Sequence, residues 1–165
     1  MKKSVSLIGM PACGKSTVAP LLAGNLDLKV VEIDLLIQQK FCLLLKELIE
    51  KYGIDGFKAI ESDVIKNIHG ESLCISTGGS AIYLPRAMIH LKNISKIVFL
   101  DTSYETITQR IGDIDKRGVV YKKGQSLKSL FDERQLLCRH YADISVKTED
   151  KTATQIAAEI GDRVL

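Results

Sequence analysis

An α/β fold, with a central five-stranded, mostly parallel sheet flanked by helices on both faces, follows from three observations in the 165-residue sequence. Short apolar runs alternate with longer segments whose apolar residues recur at helical spacing. A glycine-containing turn joins the first run to the first helical segment. The alternation then continues to the end of the chain without a linker, repeat or low-complexity stretch. Each crossover helix must pack back on the sheet it left, which covers both faces. One domain over residues 1–165 is expected at this length.

Residues 4–8, Ser-Val-Ser-Leu-Ile, are short and partly β-branched and end at Gly9, the pattern of a buried strand running into a turn. A helix follows from Lys15. Residues 28–33 supply the second strand. From Asp34, the residues Ile37, Phe41, Leu44, Leu45, Leu48 and Tyr52 fall on one helical face, so one helix is expected there, ended by Gly53. A further helix spans 55–68, and residues 73–76 form the third strand before Gly78 and Gly79. Residues 97–100 form the fourth strand and 144–146 the fifth. Helices are expected over 85–90, 103–110, 126–141 and 152–164. Residues 112–124 break the regularity: they are polar, hold four basic side chains and are bounded by glycines, as in a mobile lid.

Composition narrows the function. Hydrophobic residues make up 45% and charged residues 26%, which excludes a disordered chain. The net charge of +3 is too small for a nucleic-acid-binding stripe but suits small anionic ligands. Four cysteines at 13, 42, 74 and 138 have neither redox-pair nor zinc-site spacing, which fits a reducing cytoplasm. The start resembles a signal peptide, but its apolar run is broken by Gly9 and Pro11 and followed by Lys15. No apolar run reaches the roughly 18 residues of a membrane span. A monomer with no membrane or nucleic-acid partner is expected.

Gly9-Met10-Pro11-Ala12-Cys13-Gly14-Lys15-Ser16 fits the pattern GxxxxGK[ST], set between a strand and a helix. Such a loop curls so that successive amides, from Gly9 through Ala12, Cys13, Gly14 and on to Thr17, point at phosphate oxygens, reinforced by the helix N-terminus. Lys15 would reach the β and γ phosphates of ATP, and the Ser16 hydroxyl would ligate Mg²⁺. Cys13 near that N-terminus reads as a reactive thiol or, more simply, as packing.

With that loop placed, the sequence resembles the shikimate kinases, small relatives of the nucleoside monophosphate kinases, over nearly its whole length. Val31-Glu32-Ile33-Asp34 resembles that family's DxD segment. Phe57-Lys58 with Glu61 resembles its FRxxE segment, and Ser76-Thr77-Gly78-Gly79-Ser80 its triple-glycine turn. Arg117-Gly118-Val119 is similar to the lid's Arg-Pro-Leu, and Arg134 with Ala142-Asp143 to the late arginine segment. The resemblance implies a P-loop kinase fold that phosphorylates the 3-hydroxyl of shikimate, in aromatic amino-acid biosynthesis. The acceptor segment would span about 32–62.

It also implies roles. Asp34 would bind the acceptor hydroxyl and act as base, and Glu32 would serve Mg²⁺. Lys58 and Arg134 would clamp the acceptor carboxylate beside Gly78 and Gly79. Arg110 would lie at the nucleotide, with Arg117 on the transferred phosphate. The sequence departs from the family at Glu32 for aspartate, Lys58 for arginine, Ser80 for the third glycine and Cys138 for tyrosine. An ammonium at 58 lacks the planar fork that a guanidinium offers a carboxylate.

Other readings of the same residues stay open. Asp34 also suits a helix N-cap, Lys58 a solvated helix face, Arg134 a local ion pair and Arg117 a solvated loop charge. A kinase of another small hydroxy acid or polyol fits the departures. A nucleotide acceptor would want arginines in residues 26–72, which contain none. A regulatory module without catalysis is opposed by Lys15, Ser16 and Asp34 together.

Overall fold

The computed structural model describes residues 4–114 and 116–165; residues 1–3 and Asp115, the latter within the expected lid, lie outside it. Five strands, β1 (Ser4–Ile8), β2 (Lys29–Glu32), β3 (Leu73–Ser76), β4 (Ser95–Asp101) and β5 (Ile144–Lys147), pair in the order β2-β3-β1-β4-β5. All four pairings are parallel. The α/β class is as the alternation predicts, and the sheet, expected to be mostly parallel, is parallel throughout. Ser6 faces Ile75 on one side of β1 and Ile97 on the other, placing β1 at the centre.

Side chains in β4 alternate between faces with the strand's period of two. Ile97 and Phe99 join Ile33, Ile37, Leu48, Ile65, Ile75, Met88 and Leu91 in one core layer. Val98 and Leu100 join Val5, Leu7, Val18, Leu22, Val146, Ile156 and Ile160 in the other. The first layer lies under α2 (Ile33–Phe41), α3 (Leu45–Lys66) and α4 (Pro85–Ile94). The second lies under α1 (Lys15–Leu26), α5 (Tyr104–Ile111) and α7 (Ala153–Val164), while α6 (Leu127–Tyr141) contributes to both through Cys138 and Phe131. The two buried serines of β1 pay no desolvation penalty, because Ser6 shares a hydrogen bond with Ser95 (2.7 Å) and Ser4 accepts from the Leu73 amide (3.1 Å).

One expected helix is two. The apolar face from Asp34 to Tyr52 continues across a break at 42–44, where Cys42 takes a left-handed φ of 53° and Leu44 is extended. The Leu44 amide donates to Glu47 Oε2 at 2.7 Å, which starts α3 afresh. Gly53, with φ 71° and ψ 175°, is non-helical and divides α3 at a kink, where the sequence expected one helix to end and the next to begin. Among the described residues no helix is long and apolar enough to cross a membrane.

Candidate functional site

The C-terminal ends of β1, β2 and β3 open on one edge of the sheet, as they must when parallel strands share a direction, and a cavity of about 620 Å³ lies there. Its floor is the turn between β1 and α1. Gly9 (φ 153°) leaves the strand with its Cα against Cys13 Sγ and the Leu100 carbonyl, so a methyl group there would collide. Ala12 (φ 66°) and Gly14 (φ 103°) bend the chain so that it re-enters α1 at Lys15. Ala12, Cys13, Gly14, Lys15, Ser16 and Thr17 line the cavity, whereas Gly9 lies beneath them.

Lys15 is buried and its ammonium is folded over its own loop, donating to the carbonyls of Gly9 (2.9 Å) and Met10 (3.0 Å), with Cys13 Sγ at 3.6 Å. The Ser16 hydroxyl donates to Glu32 Oε2 at 3.1 Å across 16 residues of sequence. Two hard oxygen donors thus meet at the mouth of the loop, a donor set suited to Mg²⁺. Glu32, not Asp34, is the N-cap residue of α2, and its side chain makes no capping bond. Asp34 is therefore free to face the cavity. Burial raises its pKa and the Glu32 charge adds to that, against the lowering effect of Lys15.

The wall expected to take the acceptor is built by the end of β3 and by α6. Gly78 and Gly79 are required by space: a Cβ on Gly78 would lie 2.6 Å from Glu61 Oε1 and 2.7 Å from Asp34 Oδ1. One on Gly79 would lie 2.6 Å from Arg134 Nη1 and 3.0 Å from the Pro11 ring. Arg134 is only 1% exposed, donates through Nη2 to the Val120 carbonyl and stacks its guanidinium 5.3 Å above the Tyr83 ring centroid. Burial lowers its pKa from the ordinary value, with Tyr83 opposing.

Lys58 is placed differently. Phe57 and Glu61, four residues apart, share the buried face of α3, and Lys58 is rotated off it. Its Nζ lies 5.0 Å from the Tyr83 ring centroid, and Lys58 does not line the cavity. Arg110 and Arg117 do, from the opposite wall, where Arg117 Nη2 donates to the Arg110 carbonyl at 3.0 Å. Behind them Gly118 (φ 66°) seats the segment on the start of α3, its Cα side facing Leu45 Cβ and the Lys46 amide. Val120 is buried in the core layer below.

Sequence reasoning passed over Thr148, Lys151, Ala153 and Ile156, which line the cavity from the junction of β5 and α7. The rule that found the other strand ends applies to β5 equally, and would have found them. Glu61 appeared only as part of a motif, yet it is fully buried against Gly78 and Ser80.

A family model for shikimate kinase matches residues 11–165. The shikimate kinase of Sulfurihydrogenibium sp. is 34% identical over 159 residues, 96% of this chain and 95% of that protein. That of Persephonella marina is 32% identical over 98% of this chain and 99% of its own. Among solved structures, shikimate kinase from Acinetobacter baumannii in complex with shikimate superposes with a TM-score of 0.88 at 28% identity, covering 95% of this chain and 89% of that one. The Aquifex aeolicus enzyme gives 0.84 at 32% identity over 95% and 93%. Phosphate loop, parallel strand order and matches spanning both whole chains agree: the chain belongs to the shikimate kinase family.

Proposed function

We infer that the chain transfers the γ-phosphoryl group of ATP to the 3-hydroxyl of shikimate, a step of aromatic amino-acid biosynthesis. The observation that carries this reading is one cavity that joins a phosphate loop to a carboxylate and a buried guanidinium. Phosphoryl transfer asks a protein mainly for position and charge neutralisation. Loop amides and Lys15 hold the nucleotide phosphates. Ser16 and Glu32 would hold Mg²⁺, which would neutralise charge on those phosphates. Asp34 orients the acceptor hydroxyl and accepts its proton, a task that its raised pKa favours. Arg134 holds the acceptor carboxylate, with Gly79 leaving room for it. Residues 112–124 act as the lid that excludes water, which would otherwise compete as acceptor.

Four unpaired cysteines support a reducing compartment, the cytoplasm. An ATP-consumption assay across shikimate, other hydroxy acids, polyols and nucleoside monophosphates tests the acceptor. Turnover with shikimate is expected. Turnover with another acid and none with shikimate would overturn the acceptor while leaving the kinase.

Arg117 is exposed and its guanidinium rests on the Arg110 carbonyl, so its contact with the phosphoryl group forms as charge moves. Arg117→Ala is expected to lower kcat by about 10²- to 10³-fold with little change in either KM. A change in KM alone would place it in substrate binding instead.

Lys58→Arg tests the departure at that position. A guanidinium there, longer and forked, can share the face of Tyr83 and still reach the carboxylate beside Arg134. Shikimate KM should fall by about three- to tenfold, the net worth of one added hydrogen bond. Unchanged kinetics would leave residue 58 outside the acceptor site.

A further inference from the structure

Glu61 is a carboxylate with no exposed surface and, among the described residues, no ion-pair partner, and it packs against Gly78 at the wall of the cavity. Its Oε2 accepts the Ser80 hydroxyl, while its Oε1 has no hydrogen-bond partner among the described residues. Oε1 and Asp34 Oδ1 crowd the same methyl-sized space beside the Gly78 Cα. Arg134, the acceptor's cation, also keeps one buried donor, Nε, without a partner. The charged groups facing Glu61 are Asp34 from α2, Lys58 from its own helix and Arg134 from α6. The ring of Tyr83, in the 3₁₀ turn Ala81–Tyr83, has Lys58 Nζ 5.0 Å and Arg134 Cζ 5.3 Å from its centroid.

We propose that Glu61, held by Ser80, is a proton-accepting positioning residue of the acceptor pocket, which takes up a proton from solvent as an anionic acceptor settles against Arg134. The proposal rests on the acid-acceptor reading above. Its physics is a contest for one cation. A buried carboxylate stays ionised only while hydrogen bonds and nearby positive charge offset its lost hydration. The Ser80 hydroxyl supplies one bond and Arg134 and Lys58 supply charge. An acceptor carboxylate bound to Arg134 consumes that charge and adds its own negative field. Glu61 COO⁻ then combines with a solvent proton to give the neutral acid, whose O–H can donate. Burial first, and then the Asp34 charge, already push Glu61 up to about 7, so the exchange falls at neutral pH. Because protonation accompanies binding, affinity weakens as pH rises through that region.

Calorimetric titration of shikimate into the protein, without nucleotide, in phosphate and in Tris at pH 7 reads the proton directly. A difference in heat corresponding to proton uptake is expected for the parent chain and not for Glu61→Gln. The parent dissociation constant should weaken by up to about tenfold from pH 6 to pH 8, with a flat response for Glu61→Gln. Ser80→Ala removes the bond that favours the anion, so its transition should move to higher pH, an effect that general loosening of the pocket would not produce. Shikimate binding without uptake, or equal uptake in Glu61→Gln, overturns the proposal. Absence of shikimate binding at every pH overturns the acceptor assignment, and the proton linkage with it.

Discussion

Lys15→Ala is expected to lower kcat by about 10³-fold or more while the protein stays folded. Its ammonium is the positive side chain at the centre of the phosphate loop, and among the described residues it donates to the carbonyls of Gly9 and Met10 and the thiol of Cys13. None of these contacts joins one element of the sheet to another. Removing them loosens a turn and leaves both core layers intact, so circular dichroism should be unchanged and thermal unfolding only slightly earlier. The kinetic loss is larger because the ammonium neutralises charge that grows on the bridging and terminal phosphate oxygens in the transition state, in a site where water screens poorly. Near-parental turnover by a folded Lys15→Ala protein would remove the loop from the reaction.

Arg134→Ala should lower kcat/KM for shikimate by about 10²-fold or more, with the KM for ATP nearly unchanged. Here stability suffers as well. Arg134 is among the largest fully buried side chains; its loss opens a cavity, strands the Val120 carbonyl and takes the nearest strong positive charge from Glu61. A cost of about 2–4 kcal/mol is expected, visible as an earlier midpoint in urea. Arg134→Lys restores charge without the fork, and should recover part of the stability but little of the acceptor affinity. Equal losses for ATP and shikimate would mean that Arg134 merely supports the pocket.

Where the sequence was legible, the reason is periodic chemistry. The five strands were readable as short apolar runs, and the strand-turn-helix context of residues 4–26 located the phosphate loop because glycine geometry and the motif agree. The break at 42–44 was hidden, since Leu44 and Leu45 continue the apolar period on both sides of it and nothing in spacing records a φ of 53° at Cys42. Leu44 itself is 63% exposed, so the residue that seemed to extend the stripe does not pack. Helix phase also decided Lys58. Its neighbour Phe57 and the more distant Glu61 face inward, and one step along α3 turns a side chain by about 100°. Arg134 was readable as a ligand candidate from its motif but not as a buried side chain, because the burial depends on Val120 and Tyr83, which reach it only in three dimensions.

The place of β1 has a consequence for how the chain is made. It precedes the other four strands in the sequence, yet it sits between β3 and β4, and so cannot be flanked on both sides until residues 95–101 have left the ribosome. Until then a strand whose every residue is buried in the finished sheet lacks one of its two neighbours. Parallel pairings over such sequence separations close slowly, because each must overcome the entropy of a long loop. Nascent chains halted before β4 are therefore expected to be protease-sensitive and to engage chaperones, and nucleotide should protect only chains long enough to complete that central strand's pairing.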